Sequence, residues 1–208
     1  MKISTALDKI DERQLFVPAF QREYVWKRED AKQLIDSLIK DYPTGTMLVW
    51  ETDQPPQLKG PHKYDSKQGA VRVLLDGQQR LTTLYMLIRG EIPPYYTAPE
   101  IVNDTRGLYV HVETLELEYF KKLKMQNDPR WQNLTDIFQK KIRARDIIRT
   151  LEEQGQDVPR ERTTLLMTMC VLLNEYWTGS SPSRLYRLKR WLEKPSISSI
   201  RSMPVASL

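Results

Sequence analysis

The chain has 208 residues, 40% hydrophobic and 28% charged, which is typical of a soluble globular protein with ample length for a core. No stretch approaches the ~18 consecutive apolar residues of a membrane span, and the apolar region of a signal peptide is missing at the N-terminus. The single cysteine, Cys170, excludes an internal disulfide framework and a multi-cysteine metal site. It lies in an apolar run and is expected to be a buried thiol. We therefore expect a cytoplasmic protein without membrane association.

The formal net charge of +5 is unevenly distributed. Residues 139–208 carry 13 Lys and Arg against 7 Asp and Glu, so the basic excess belongs to the C-terminal third. Basic helices can follow a phosphate backbone, although a solvated helix face of ordinary charge is the alternative. The candidate DNA-binding residues are Lys140, Lys141, Arg143, Arg145, Arg187 and Arg190.

The first part of the chain alternates helical and extended patterns. Residues 3–10 predict a short amphipathic segment and residues 16–20 an extended piece. Apolar side chains at helical spacing predict a helix over residues 28–40. Residues 46–50 predict a strand, and the proline-rich polar segment 52–70 an exposed loop.

The second part begins with a strand over residues 71–75, followed by a turn and a helix that stops at Gly90. Residues 108–112 and 115–120 resemble two strands, which we predict to form a hairpin on the same sheet. The remaining pattern predicts helices over about 134–154, 160–177 and 183–193. Together these elements indicate an α+β protein, with a small mixed sheet followed by a helical C-terminal part.

The turn between the strand at 71–75 and the next helix is the most informative local feature. Polar residues or glycine occupy every position from Asp76 to Arg80. The first backbone N–H groups of a helix lack acceptors within the helix, so this terminus is suited to bind an anion. Gly77 permits close approach of a ligand to the backbone, and Arg80 can pair bidentately with a phosphate. The turn therefore predicts an anion site.

Three separated motifs carry a family resemblance. Residues 17–26 match the pattern V-P-x-F-Q-R-x-Y-x-W, residues 42–45 match Y-P-x-G, and residues 76–83 match D-G-Q-Q-R-L-T-T. In this order and at these distances the motifs resemble the N-terminal domain family of the GmrSD-type restriction systems. The specific motifs lie within about residues 1–90.

The resemblance implies a small ParB/sulfiredoxin-like α+β fold that binds a nucleotide. We expect a ParB-like α/β nucleotide-binding domain over residues 1–125, a helical subdomain over 126–194, and a tail or truncated end over 195–208. The implied activity is Mg²⁺-dependent hydrolysis of a nucleoside triphosphate that gates cleavage of foreign modified DNA. The implied partner is a His-Asn-His-type nuclease domain or subunit, which this chain lacks because it has two histidines and no histidine cluster.

Each polar residue of the motifs suits a role in phosphoryl transfer, which needs charge stabilisation and a positioned water. Arg80 and Arg22 can neutralise phosphate charge from opposite sides, and Gln78 or Gln79 can orient a water. Asp76 can hold Mg²⁺ or act as a base. The candidate catalytic residues are Asp76, Gln78, Gln79 and Arg80. The candidate nucleotide-binding residues are Gln21, Arg22, Tyr24, Trp26, Gly77, Thr82 and Thr83.

Structural alternatives stand beside several of these assignments. Instead of a catalytic role, Asp76 can have the purely structural role of a helix cap. Likewise, Arg22 can form an ion pair with Glu23 or Asp76, and Trp26 can be a packed aromatic side chain. His111 is expected to be a structural histidine. At the level of function, the alternatives are a non-catalytic nucleotide-sensing or DNA-binding module and, third, a ParB-like nuclease. A nuclease ranks last because a two-metal site needs several carboxylates, and Asp76 stands alone near the motif.

Overall fold

The computed structural model describes residues 2–40, 42–61 and 63–156, together with residues 160, 161, 163, 164 and 167. Within these residues it contains six α-helices and two three-stranded sheets, which confirms the α+β class. Several predicted features lie outside the described residues: Cys170, Arg187, Arg190, the helix at 183–193, nearly all of the helix at 160–177, and segment 195–208.

The first sheet has the strand order β1-β3-β2. Helix α1 (Ile3–Asp11) leads into β1 (Leu15–Phe16), which pairs parallel with β3 (Val71–Asp76). At the start of helix α2 (Arg28–Ile39), the backbone N–H of Lys27 donates a hydrogen bond to the carboxylate of Asp30. Strand β2 (Leu48–Thr52) then pairs antiparallel with β3, so β3 is the central strand. The helix predicted over residues 28–40 and the strand predicted over 46–50 are confirmed, with bounds shifted by one or two residues. The extended piece predicted over residues 16–20 is confirmed only at its start, because β1 ends at Phe16 and residues 19–20 lie in a turn.

Helix α3 (Gln78–Arg89) lies at the centre of the fold. Ten of its residues are buried, although the sequence pattern places apolar side chains mainly on one face. The helix contacts α2, and its last turn is tied to α1 because Arg89 pairs with Asp8 and Asp11 at 2.5 and 3.0 Å. A helix surrounded in this way must satisfy its polar side chains internally.

The second sheet has the order β5-β4-β6 and is separate from the first. Strands β4 (Leu108–His111) and β5 (Leu117–Tyr119) form the predicted hairpin, but the expectation that it joins the first sheet is wrong. The free edge of β4 is instead paired by β6 (Trp131–Asn133), a short strand that the sequence pattern did not reveal. Helix α4 (Lys122–Met125) connects β5 to β6 and was also missed.

The helix predicted over residues 134–154 is broken into two. Helix α5 (Leu134–Phe138) ends before Lys140, which adopts a positive φ of 57°, and helix α6 (Ala144–Glu153) starts after it. The break places Gln139 where its side-chain amide donates to the carbonyl of Arg89 at the end of α3. Helix α5 thus packs against α3. None of the described helices has the length and apolar character needed to cross a bilayer.

Candidate functional site

The predicted anion site lies where β3 ends and α3 begins. Gly77 is the N-cap residue of α3 and adopts a left-handed backbone with φ of 95°. A Cβ at this position would stand 2.9 Å from Cγ of Met47 and 3.3 Å from Nη2 of Arg80, so a side chain would not fit. No side chain caps the helix, and the alternative that Asp76 serves as its cap does not hold. The first N–H groups of α3 are therefore left for a ligand or solvent.

Arg80 ties the turn to the Y-P-x-G segment. Its Nη1 donates to the carbonyl of Thr44 at 2.5 Å, and Nη2 donates to the carbonyl of Thr46 at 2.7 Å. The same Nη2 pairs with the carboxylate of Asp76 at 3.1 Å. The Arg80 side chain is only 15% exposed, whereas Asp76 is 71% exposed. Three acceptors thus hold the guanidinium inside the protein, and the carboxylate faces solvent.

Gln79 joins the turn to the first motif. Its side-chain oxygen accepts from the backbone N–H groups of Val25 and Trp26 at 2.9 and 3.3 Å. Its side-chain nitrogen donates to the carbonyl of Glu23 at 2.9 Å. Because the side chain is buried, these bonds satisfy the amide and fix segment 23–26 over the start of α3.

Thr82 and Thr83 are both fully buried one turn further along α3. The Thr83 hydroxyl shares a hydrogen bond of 2.8 Å with the hydroxyl of Tyr24, and the Thr82 hydroxyl shares one of 3.0 Å with that of Tyr95. Burial raises the pKa of Tyr24 to about 12, and burial also raises the pKa of Tyr95. In this conformation the two threonines contact tyrosines and not solvent.

Gln78 is the first residue of α3 and is only 3% exposed. Its nitrogen donates to the hydroxyl of Tyr96 at 2.5 Å. Its side-chain oxygen is buried and has no hydrogen-bond partner among the residues that the structure describes. A buried amide oxygen without a partner costs free energy, which a donor from a ligand or water would recover.

Lys59 belongs to the site and was missed by sequence reasoning. Its side chain is 9% exposed, and Nζ pairs with the carboxylate of Glu23 at 2.9 Å. The same ammonium donates to the carbonyls of Gln21 and Arg22 at 3.0 and 3.2 Å. It lies in the segment assigned to an exposed loop. A β-bridge between Leu58 and Pro18 of the first motif brings Lys59 to the site, and nothing in the sequence pattern indicates this pairing.

The remaining residues of the first motif lie around this lysine. The side chain of Gln21 donates to the carbonyl of Leu75 at the end of β3, at 2.7 Å. Trp26 is half-buried and packs against the core, as its structural alternative stated. Arg22 is exposed, and its guanidinium makes no hydrogen bond or ion pair with the described residues. The structural alternative for Arg22 was an ion pair with Glu23 or Asp76. Neither pair forms, because Glu23 pairs with Lys59 and Asp76 pairs with Arg80.

The site offers few acidic ligands for a metal. Among the described residues, no group of three or more His, Cys, Asp or Glu side chains is arranged to hold an ion. The exposed carboxylate of Asp76 can be one of the one or two carboxylates that Mg²⁺ needs when phosphate oxygens supply other ligands.

His111 lies outside this site and has a structural role. Its Nδ1 accepts hydrogen bonds from the N–H groups of Glu113 and Thr114, and burial lowers its pKa.

The predicted DNA-binding residues that the structure describes do not lie on one helical face. Lys140 and Lys141 are in the break between α5 and α6, Arg143 is the N-cap of α6, and Arg145 lies in its first turn. Lys141 pairs with Asp136 at 3.6 Å. Arg145 pairs with Asp146 at 3.9 Å, which reduces the charge available to a phosphate backbone.

The family profile of the GmrSD restriction endonuclease N-terminal domain matches residues 3–189. The chain belongs to this family. The domain that defines this family is the N-terminal domain of a restriction endonuclease.

The chain is also similar to the uncharacterized protein MJ0686 of Methanocaldococcus jannaschii. The two are 35% identical over 89 residues, which cover 38% of this chain and 15% of that protein. The matched segment therefore spans less than a fifth of that relative's length.

Proposed function

We propose that this member of the GmrSD N-terminal domain family binds a nucleoside triphosphate at the N-terminus of α3 and hydrolyses it with Mg²⁺. The observation that carries the proposal is a helix start entered through Gly77, together with a nearby arginine, Arg22, whose guanidinium has no partner among the described residues. Gln21 and Glu23, the two neighbours of Arg22, are bonded to the end of β3 and to Gln79. Those bonds hold the backbone of Arg22 close to the turn.

The hydrogen bonds divide the motif residues into two groups. The first group consists of residues with a group left without a partner among the described residues or facing solvent: the Arg22 guanidinium, the Asp76 carboxylate, the backbone at Gly77 and the side-chain oxygen of Gln78. Gln79, Arg80, Tyr24, Thr82 and Thr83 have protein partners and act as positioning residues. Lys59 joins the second group, because its ammonium holds the backbone on both sides of Arg22. We therefore assign phosphate contact to Arg22 in place of Arg80.

Asp76 is the residue that would hold Mg²⁺. When bound, the ion would neutralise phosphate charge. The pair between Asp76 and Arg80 orients the carboxylate without removing it from solvent. The Gln78 oxygen can accept a hydrogen bond from a water at the helix start, which suits a group that positions the attacking water.

Phosphate release from each of the four ribonucleoside triphosphates with Mg²⁺ tests this proposal, for the native chain beside Asp76→Ala. Asp53→Ala is the matched control because Asp53 is an exposed carboxylate at the far end of β2. We expect turnover by the native chain and the control and its loss in Asp76→Ala. Binding without turnover in the native chain would favour the alternative of a nucleotide-sensing module. We also propose that this hydrolysis gates a partner nuclease that cleaves foreign modified DNA.

A further inference from the structure

A cleft of about 510 Å³ opens beside the second sheet, away from the α3 turn. Aromatic side chains from the sheet line it: Tyr109 from β4, Phe120 after β5 and Trp131 from β6. The volume is within the range of small-molecule sites, and its lining combines aromatic and polar groups as such sites do. No role in nucleotide hydrolysis falls to any of these residues.

The aromatic wall is suited to hold a flat ring. The rings of Tyr109 and Phe120 stand 5.3 Å apart with an interplanar angle of 41°. Phe120 is 49% exposed, which is unusual for a phenylalanine beside a folded sheet. Trp131 is only 5% exposed and forms the floor. The exposed Phe120 and the half-buried Tyr109, together with the buried Trp131, give an aromatic surface on which an inserted base can stack.

Polar groups at the rim of the cleft can form hydrogen bonds with the edge of such a ring. Gln126 and Asn127 follow α4, and Gln154 follows α6, so amides from two elements meet at the cleft. The side chains of Gln126 and Asn127 are exposed and form no hydrogen bonds with the described residues. An amide carries both donors and an acceptor, which is the chemistry that pairs with the edge of a nucleobase.

Three lysines lie beside the cleft, whereas the charged residue among the described residues that line it is an acid, Asp128. Lys121, Lys122 and Lys124 lie at or beside α4. Lys121 and Lys124 pair with Glu118 and Glu116, whereas Lys122 is exposed and makes no ion pair with the described residues. The ammonium of Lys124 also stands 4.6 Å from the centre of the Trp131 ring, so a cation contacts one of the aromatic residues of the cleft although Lys124 does not line it.

We propose that this cleft binds an unstacked base of single-stranded nucleic acid. The base stacks on Tyr109 and Phe120, its edge bonds to Gln126 and Asn127, and the adjoining phosphate lies near Lys122. This site is independent of the triphosphate site at α3, because no residue is shared between the two.

The test is fluorescence anisotropy of a labelled single-stranded oligonucleotide of mixed sequence, with a duplex of the same sequence as competitor. We expect the native chain to prefer the single strand, and the double variant Tyr109→Ala with Phe120→Ala to bind on the order of 5- to 150-fold more weakly. Leu123→Ala is the matched control, since Leu123 is fully exposed on α4 and does not line the cleft. Phe120→Trp keeps the stacking surface and should retain binding.

A second variant covers the case in which the double variant fails to fold. Asn127→Asp changes an exposed side chain without a hydrogen-bond partner, and its negative charge at the rim should weaken single-strand binding without lowering the melting temperature. Equal affinity of the native chain and Asn127→Asp, or of the native chain and a folded double variant, would overturn the proposal. So would an equal preference for duplex. The folded double variant should still bind a nucleoside triphosphate, so the two proposals fail separately.

Discussion

The guanidinium of Arg80 lies directly against the backbone of Gly45. A Cβ built on Gly45 would stand 2.6 Å from Nη1 of Arg80, closer than real Cβ contacts come. Gly45 also has a φ of 81°, in the region that favours glycine. The Y-P-x-G and D-G-Q-Q-R motifs are therefore two halves of one contact, in which the glycine makes room for the arginine.

Gly45→Ala should lower the free energy of unfolding by more than its backbone strain alone. Strain at positive φ costs about 1–2 kcal/mol, and displacing Arg80 from two carbonyls costs roughly 1–3 kcal/mol more. Gly155→Ala is the matched control because Gly155 has a φ of 66° but open space around the position of a Cβ. Urea unfolding of the two variants measures the difference. Equal destabilisation would mean that the contact with Arg80 carries no stability.

Gln79→Ala should destabilise the protein by about 2–4 kcal/mol, since three backbone groups of segment 23–26 lose their partner. Gln57→Ala, at an exposed glutamine in the loop before Lys59, should leave the free energy of unfolding nearly unchanged. Hydrogen exchange at the N–H groups of Val25 and Trp26 would report the loss locally. Unaltered exchange there in Gln79→Ala would contradict the role assigned to its amide oxygen.

Lys59→Met should weaken triphosphate binding and destabilise the fold by about 1–3 kcal/mol, because the carbonyls of Gln21 and Arg22 lose a charged donor. The ion pair with Glu23 contributes little by itself, since Glu23 is 58% exposed. Lys67→Met removes an exposed lysine of the same segment and serves as control. If both variants bind triphosphate as the native chain does, Lys59 has no positioning role.

Stability should fall at high pH through the buried tyrosines. Burial raises the pKa of Tyr24 from 10.0 to about 12. A raised pKa in the folded state means that its contribution is complete below pH 10 and is lost as the pH rises towards 12. The native chain should therefore lose unfolding free energy over this window more steeply than Tyr24→Phe. Denaturant unfolding at a series of pH values measures the two slopes, and parallel slopes would show that Tyr24 is not responsible.

Local signals explain why the strand, turn and helix around Asp76 were predicted well. An apolar run, a glycine and a helical pattern follow one another along the chain, and Gly90 marks the helix end. The contacts that define the site are not local. Arg80 binds the carbonyls of Thr44 and Thr46, and a backbone carbonyl leaves no mark in the sequence. For the same reason, the sequence motifs could not reveal that Arg80 has protein partners whereas the Arg22 guanidinium has none among the described residues.

The errors in the second half have a similar origin. Strand β6 has three residues, too few for an alternating pattern, and it is defined by its pairing with β4. The break at Lys140 interrupts a helical pattern without glycine or proline, because packing of α5 and Gln139 against α3 outweighs helix propensity there. The division at residue 125, the ParB-like likeness and the roles of the basic residues remain predictions.

The most direct test of the triphosphate site is isothermal titration of the native chain and of Arg22→Ala with each ribonucleoside triphosphate in the presence of Mg²⁺. Arg149→Ala is the control, because the Arg149 side chain on α6 is 69% exposed. We predict that the native chain and the control bind at least one nucleotide. We also predict that the affinity of Arg22→Ala is reduced at least about tenfold, as expected for a lost charged hydrogen bond, with an unchanged melting temperature. Equal affinity in Arg22→Ala, or no binding by the native chain, would contradict the triphosphate site.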